Sequence, residues 1–218
     1  MPTHAPVQDT VSPSGIMDRL KTETRSNHDQ AEKNGFGVRV MEGGLTIELY
    51  VEHLAAWHEM LSHLEQTLRE SSHPMITSVW HEGLAKQELL TRDLDHFDSD
   101  PTSLDPSVSR AVGDFKGMVD EYAGDDPASL LGVLYVLEGS TMGGSVMKPR
   151  IAKQLGLTSG SGLNYYGCYG HQVRARFDDF KSRMGTAVDG SGAEPRVLEA
   201  ARNTFDRVGA VLRAIVPE

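Results

Sequence analysis

One histidine of the chain lies in a polar segment that is typical of a helix carrying a ligand. Residues 20–32 have the sequence LKTETRSNHDQAE, in which His28 is the sole histidine. On a helix Glu32 lies one turn after His28, where its carboxylate could accept the second ring N–H and fix the tautomer that binds a metal. Lys21 lies two turns earlier and could reach an anionic group on a planar ligand. A solvated His–Glu pair explains the same spacing.

A second candidate is a helical stretch that contains several glycines. Residues 134–146 have the sequence LYVLEGSTMGGSV, with Gly139, Gly143 and Gly144 inside a strongly helical pattern. Each glycine in a helix interior costs about 1 kcal/mol relative to alanine. A loop between two helices, or a close helix crossing, would explain them. The functional interpretation is a kinked helix that lays bare backbone against a flat ligand and leaves room for dioxygen above a metal.

Positive residues cluster in a later segment of an acidic chain. The net charge of the whole chain is −10, which argues against a general nucleic-acid surface. The local cluster predicts an anion nearby, although surface pairing with neighbouring aspartates explains it about as well. The cluster consists of Arg174, Arg176, Lys181 and Arg183.

Other residues fit a metal or nucleophilic site poorly. A di-iron bundle needs two Glu-x-x-His pairs, and only Glu70 and His73 match, at a predicted helix end. The single cysteine, Cys168, excludes disulfides and paired-cysteine metal motifs, and no base is evident beside it. Three more histidines are spaced five residues apart, which turns each about 140° from the last and prevents convergence on one ion. These are His53, His58 and His63.

The elements that must position these residues are predicted to be helices. Apolar residues recur at helical spacing after Ile47, Thr46 is a suitable N-cap, and Pro74 is expected to end this helix. Gly35-Phe36-Gly37 is expected to be a break, and the Tyr/Gly-rich segment 163–169 a loop, because no second strand could pair with it. The other predicted helices cover residues 14–33, 76–96, 106–122, 127–155, 170–184 and 194–215.

The fold class is therefore an all-α, single-domain bundle at residues 14–218, after a flexible tail at residues 1–13. The chain has 218 residues, enough for one substantial core. No run approaches the roughly 18 consecutive apolar residues of a membrane helix. The N-terminus has no basic start followed by an apolar run, as a secretory signal would. We expect a cytoplasmic protein.

Three segments, taken in order, resemble the heme oxygenase family, in the bacterial variety whose distal helix carries Leu-Glu-Gly-Ser. They are LKTETRSNHDQAEKNGF, YVLEGSTMGGSVMKPRIAKQLGL and HQVRARFDDFKSRM. The resemblance implies a bundle with heme between a proximal helix and a kinked distal helix. It implies that His28 is the proximal ligand, with Glu32 beside it. The other implied heme neighbours are Lys21 and Lys181 at the propionates and Gly139, Gly143 and Gly144 on the distal helix. Phe180, just before Lys181, stands where an aromatic residue is common in the family.

One departure from the resemblance concerns Ser140. Animal-type members have an aspartate at this place, which orders the water chain that delivers protons. A hydroxyl can hold a water but adds no charge. Several bacterial members also lack the aspartate, so activity is not excluded. Ser140, Thr141 and backbone carbonyls near the glycines are then the candidates for organising the proton path.

The resemblance implies an enzyme for which heme is both cofactor and substrate. The products would be biliverdin, carbon monoxide and ferrous iron, with electrons from a ferredoxin- or reductase-type donor. A phytochrome could accept the biliverdin, or the reaction could serve iron acquisition. Two alternatives stay open. One is a heme-binding or partner-binding module of the same fold without turnover, and the other is a thiaminase-like enzyme that uses Cys168.

Overall fold

The computed structural model describes residues 15–33, 35–158 and 160–216. Within these ranges the regular structure is α-helical or 3-10, without strands, which confirms the all-α class. The predicted tail at residues 1–13 lies outside the described residues. The α-helices are α1 (Ile16–Glu23), α2 (Arg25–Glu32), α3 (Gly35–Glu42), α4 (Ile47–Glu70), α5 (Pro74–Val79), α6 (Gln87–His96), α7 (Pro106–Asp125), α8 (Leu130–Leu155), α9 (Val173–Val188) and α10 (Glu194–Ile215).

Several sequence predictions are confirmed. The helix α4 begins at Ile47, and the Thr46 side chain caps it by accepting a hydrogen bond from the amide of Leu49 at 3.3 Å. The helix α10 has the predicted bounds 194–215. The Tyr/Gly-rich segment 163–169 is a loop that contains the one-turn 3-10 helix Tyr165–Gly167. A second 3-10 turn, Gly170–Gln172, precedes α9, so this helix begins at Val173 and not at residue 170 as predicted.

Other predicted boundaries are wrong, for local reasons. The expected break at Gly35-Phe36-Gly37 is instead the start of α3, because Phe36 and Val40 bury one face of this helix. Pro74 does not end α4, which stops at Glu70; it occupies the first turn of α5, where its missing N–H leaves no partner unsatisfied. The predicted helix 14–33 is divided at Thr24, whose hydroxyl donates to the carbonyl of Leu20 at 2.6 Å.

The predicted helix 76–96 is also divided, into α5 and α6. Between them a 3-10 turn, Glu82–Leu84, is followed by the buried Lys86. The backbone N–H of Lys86 donates to the Glu65 carboxylate at 2.7 Å, so the start of α6 is tied to α4. The boundary before α6 therefore depends on the carboxylate of Glu65, which comes from another helix and caps the start of α6.

The helices α8 and α10 form the centre of the bundle. The helix α10 packs against α8, α7 and α2, while α4 packs against α6 and α7. A Cβ atom at Gly132 would lie 2.3 Å from the carbonyl oxygen of Val197, so α8 and α10 cross without space for a side chain. The segment Pro127–Leu155 is long and apolar enough to cross a membrane, but 56% of its most apolar window is buried inside the bundle, as in the core helix of a globular protein.

The helix α8 is continuous through its glycines. It extends from Leu130 to Leu155 and includes Gly139, Gly143, Gly144 and Pro149. The alternative in which these glycines form a loop between two helices is therefore wrong. A single long helix can present different residues to different neighbours along its length, and the candidate site depends on this arrangement.

Candidate functional site

The histidine-bearing helix lies beside the glycine-bearing helix. The helices α2 and α8 both pack against α10, and Thr24, which precedes α2, lies near the phenol of Tyr135 on α8. His28 lies one turn after Thr24, and Gly139 lies one turn after Tyr135. This proximity places both candidate elements in one region of the surface.

The imidazole of His28 is accessible. Half of its side chain (52%) is exposed, its Nδ1 atom lies 3.8 Å from the Asp29 carboxylate, and its ring is edge-on to Phe205 at a centroid distance of 5.8 Å. A half-exposed imidazole that packs against an aromatic ring has a defined position at the surface of α2. Glu32 ends α2, but its side chain lies outside the described part of the chain, so its pairing with His28 stays a prediction.

Two of the three glycines give α8 a bare, open face. Gly139 and Gly143 are four residues apart, hence on one side of the helix, and a Cβ at either would meet no described atom within 4 Å. Val146, one turn further on, is 53% exposed on the same side. Gly144 differs, because its Cβ would lie 3.5 Å from the carbonyl oxygen of Tyr166 in the loop. The structure therefore groups Gly139 with Gly143 and separates Gly144 from them.

Ser140 lies at the border between the open face and the loop. Its hydroxyl donates to the carbonyl of Leu137 at 2.7 Å, and its Oγ atom lies 3.4 Å from the phenolic oxygen of Tyr165. Tyr165 is buried, and this burial raises the pKa of its phenol. Sequence reasoning missed Tyr165. The available signal was the run of tyrosines in a loop, since a buried tyrosine usually has a hydrogen-bond partner.

The two lysines predicted to bind an anion lie on adjacent helices. Lys21 is exposed in the last turn of α1, and α1 packs against α9, which carries Lys181. The Nζ atom of Lys181 lies 2.7 Å from the Asp178 carboxylate and 5.7 Å from the ring centre of Phe177. The alternative explanation of the basic cluster, surface pairing with neighbouring aspartates, is therefore correct for Lys181. Phe180 points inward and is 1% exposed.

A buried ion pair supports α8 from another side. Glu138, which precedes Gly139, is fully buried, and its Oε2 atom accepts hydrogen bonds from the ammonium of Lys86 at 2.5 Å and the phenol of Tyr169 at 3.2 Å. The ammonium also donates to the carbonyl of Leu84 at 2.8 Å. Sequence reasoning missed this cluster too. A carboxylate in the middle of an apolar helix was its signal, because such a charge needs a partner.

The histidines of α4 have three separate environments. His53 stacks on Phe36 and lies tilted against Trp57, with a ring-centroid distance of 4.1 Å to each, and burial lowers its pKa to about 3. Its Nε2 atom lies 2.8 Å from the hydroxyl of Tyr166. His58 and His63 have other partners, Thr91 and Asp120 respectively. The prediction that these histidines do not converge on one ion is confirmed.

The competing site types gain no support. Within residues 15–33, 35–158 and 160–216 no group of three or more His, Cys, Asp or Glu side chains could hold a metal ion, and Glu70 bonds to Gln66. Burial raises the pKa of the Cys168 thiol, although the charge of Lys86 acts in the opposite direction. A thiol that is kept protonated is a poor nucleophile.

The fold is that of known heme oxygenases. The heme oxygenase from Leptospira interrogans superimposes with a TM-score of 0.82 at 20% identity, covering 91% of this chain and 98% of that protein. Heme oxygenase-2 from Synechocystis sp. PCC 6803, solved in complex with heme and NO, gives a TM-score of 0.83 at 19% identity, over 93% and 85% of the two chains. These similarities define the class as the heme oxygenase fold.

The sequence comparisons give the family. The heme oxygenase family model matches residues 14–214, so the chain belongs to the heme oxygenase family. Heme oxygenase 1 of Bos taurus is 25% identical over 92% of this chain and 71% of its own length. Heme oxygenase 2 of Oryctolagus cuniculus is 24% identical over 88% of this chain, and the match spans only 63% of the rabbit protein.

Proposed function

We propose that the chain is a heme oxygenase that cleaves heme with dioxygen and electrons to biliverdin, carbon monoxide and ferrous iron. The observation that carries the proposal is the pairing of an accessible imidazole with a bare helix face. His28 lies on α2, Gly139 and Gly143 lie on α8, and both helices pack against α10. Family membership supports the assignment of the cleft expected between them to heme.

The residues that line the cleft fit a flat, largely apolar ring. A Cβ at Gly139 or Gly143 would occupy open space, so the helix offers a surface without side chains to the ring. Exposed apolar side chains accompany it, Val146 on α8 and Met41 on α3, and α3 packs against α8. Apolar residues left exposed around a cleft are typical of a ligand site.

The proposed roles follow from this placement. His28 would hold the iron from one side, with Glu32 orienting the imidazole, while Lys21 and Lys181 would fix the rotation of the ring through its propionates. When bound, heme supplies the redox chemistry. Gly139 and Gly143 would let the distal helix approach the ring, and Ser140 would hold water at its edge. Gly144, which was also predicted there, packs against Tyr166 in the loop instead. Lys181 would exchange its Asp178 partner for a propionate or share the two.

The decisive test is whether the protein degrades its own bound heme. Purified protein is loaded with hemin and given ascorbate or a ferredoxin reducing system, with catalase present to remove free peroxide. We expect loss of the Soret band, growth of the broad red absorption of biliverdin, and release of carbon monoxide. A donor that supports turnover would identify the class of electron partner. Bound heme that survives hours of reduction in air would contradict the proposal.

A second candidate function is a heme-binding or partner-binding module without turnover. One observation favours it, which is that the carboxylate next to Gly139 in the sequence, Glu138, is committed to Lys86 inside the bundle. Ser140 offers only a hydroxyl there. The same experiment separates the candidates, because a module would bind hemin and leave it intact. If turnover occurs, transfer of biliverdin to a phytochrome apoprotein would be the next assay.

A further inference from the structure

The hydrogen bond between Ser140 and Tyr165 has one possible direction. Ser140 has a single hydroxyl hydrogen, and the 2.7 Å contact to the carbonyl of Leu137 uses it. In the 3.4 Å contact with Tyr165, the hydrogen must therefore come from the phenol. The hydrogen bond therefore runs from Tyr165 to Ser140.

Tyr165 is held firmly in this position. Its backbone N–H donates to the Asp93 carboxylate at 2.8 Å, and the backbone and side-chain nitrogens of Asn164 donate to the same carboxylate at 2.7 Å. The phenol ring is 6% exposed and packs edge-on against Tyr166 at a centroid distance of 5.3 Å. Because α6 anchors the loop through Asp93, the phenol approaches Ser140 without much freedom to move away.

We propose that Tyr165 is a positioning residue for the cleft, because its phenol donates to Ser140 and leaves the serine oxygen as a fixed hydrogen-bond acceptor for a water beside the ligand. Ser140 is exposed, so its remaining lone pair is accessible from the cleft. A water that donates one hydrogen to this oxygen keeps its second hydrogen and its own lone pairs available. The hydroxyl hydrogen of Ser140 remains hydrogen-bonded to the carbonyl oxygen of Leu137. The proton delivered in the cleft therefore comes from the water. The catalytic part of this inference rests on the proposed function.

The role belongs to Tyr165 rather than to the neighbouring tyrosines. Tyr169 donates to Glu138 within the buried ion pair, and Tyr166 contacts His53 in the aromatic stack. Neither hydroxyl has a described contact with Ser140. Tyr169 therefore offers a matched control, because Tyr169→Phe removes the same atom from the same loop without touching Ser140.

The test is a pair of double-mutant cycles. In the first, the urea unfolding midpoint of the heme-free protein is measured for the wild type, Tyr165→Phe, Ser140→Ala and the double variant. We expect the two changes to be clearly non-additive, because either one removes the same hydrogen bond. Tyr169→Phe with Ser140→Ala is expected to be additive. Additive shifts in the Tyr165 cycle would overturn the proposal whether or not the protein binds heme.

The second cycle uses hemin-loaded protein. It measures the pH midpoint at which the visible spectrum changes from its acid to its alkaline form, and the rate of biliverdin formation. Tyr165→Phe should move this pH midpoint in the same direction as Ser140→Ala and should have no further effect once Ser140 is alanine. It should lower the rate of biliverdin formation by about tenfold, whereas the removal of a general acid would lower this rate more. Independent effects would overturn the positioning role. A wild type that does not bind hemin would contradict the proposed function and the role of the water, and the first cycle would still decide the Tyr165–Ser140 contact.

Discussion

The ammonium of Lys86 lies 2.5 Å from the carboxylate of Glu138, and side-chain exposure is 3% for the lysine and zero for the glutamate. Breaking such a pair on one side leaves a buried charge without its partner, which typically lowers the free energy of unfolding by about 3–5 kcal/mol. We expect this loss for Glu138→Gln and Lys86→Met in urea unfolding of the heme-free protein.

A matched exposed pair provides the control for this prediction. Arg69 and Glu82 are joined at 2.8 Å on the surface, and pairs of this kind contribute about 0–1 kcal/mol. Glu82→Gln should therefore change the unfolding midpoint little. The double change of Lys86→Met with Glu138→Leu should recover much of the lost stability, since no unpaired charge remains. Equal small effects for buried and exposed pairs would contradict the assigned burial.

The buried histidine of α4 predicts a loss of stability in acid. Burial lowers the pKa of His53 to about 3, whereas an unfolded histidine titrates near 6.5. Below about pH 6.5 the unfolded chain binds a proton that the folded chain excludes. The free energy of unfolding therefore decreases as the pH falls, by up to about 1.4 kcal/mol per pH unit, until the imidazole of the folded chain titrates. Unfolding curves of the wild type and His53→Gln, measured from pH 7 to pH 4, should show a shallower slope for the variant.

Other titrating groups do not affect the comparison between the wild type and His53→Gln. Burial raises the pKa of Glu65 and Asp93, an effect that opposes the histidine in acid but is common to both proteins. His63→Gln serves as the control, because His63 pairs with Asp120 on the surface. A slope that is unchanged in His53→Gln would show that the imidazole becomes protonated inside the fold.

The helices were predictable wherever local signals decide them. The start of α4 follows from the N-cap at Thr46, and α10 follows from apolar periodicity. The start of α3 at Gly35 could not be predicted, because burial of Phe36 among residues distant in sequence outweighs the low helical preference of glycine. The start of α6 likewise depends on the contact between the backbone N–H of Lys86 and the carboxylate of Glu65, 21 residues away.

The candidate site was predictable in outline but not in its supporting contacts. The motifs containing His28, Gly139 and Lys181 are continuous in sequence, so type and spacing identify them. The contact between Ser140 and Tyr165 joins two segments that only the folded chain brings together. Sequence could not show either that Gly144 faces the loop whereas Gly139 faces the open cleft, because this difference depends on what packs around α8.

The lysines of the proposed propionate site should affect heme and not the fold. Lys181 is 42% exposed and Lys21 is exposed, so Lys181→Glu and Lys21→Glu should change stability by less than about 0.5 kcal/mol. Each should weaken hemin binding or alter the ratio of biliverdin isomers. Arg183→Glu, at a residue paired with Asp179, is the control. Wild-type behaviour of both lysine variants would contradict the assignment.

The axial ligand is tested by removing one imidazole. His28→Ala should leave the unfolding midpoint nearly unchanged, because half of the side chain is exposed, but it should shift the Soret band and lower hemin affinity. Imidazole added to the buffer should partly restore the spectrum by entering the vacated space. His63→Ala provides the control on another helix. A Soret position and an affinity equal to those of the wild type would remove His28 as the ligand.

The bare face of α8 leads to a prediction in which stability and ligand binding change in opposite directions. Gly139→Ala adds a methyl group that meets no described atom within 4 Å, so the heme-free protein should gain up to about 1 kcal/mol from better helical preference. The same methyl group would occupy the surface against which the ring is proposed to lie, so hemin affinity should fall. Gly132→Ala supplies the contrast, because its Cβ would lie 2.3 Å from the carbonyl oxygen of Val197 and must push α8 and α10 apart. Thermal unfolding of both heme-free variants, followed by hemin titration of Gly139→Ala, separates a glycine retained for a ligand from one retained for packing. If Gly139→Ala bound hemin as well as the wild type, the ring would have to lie elsewhere than on this face.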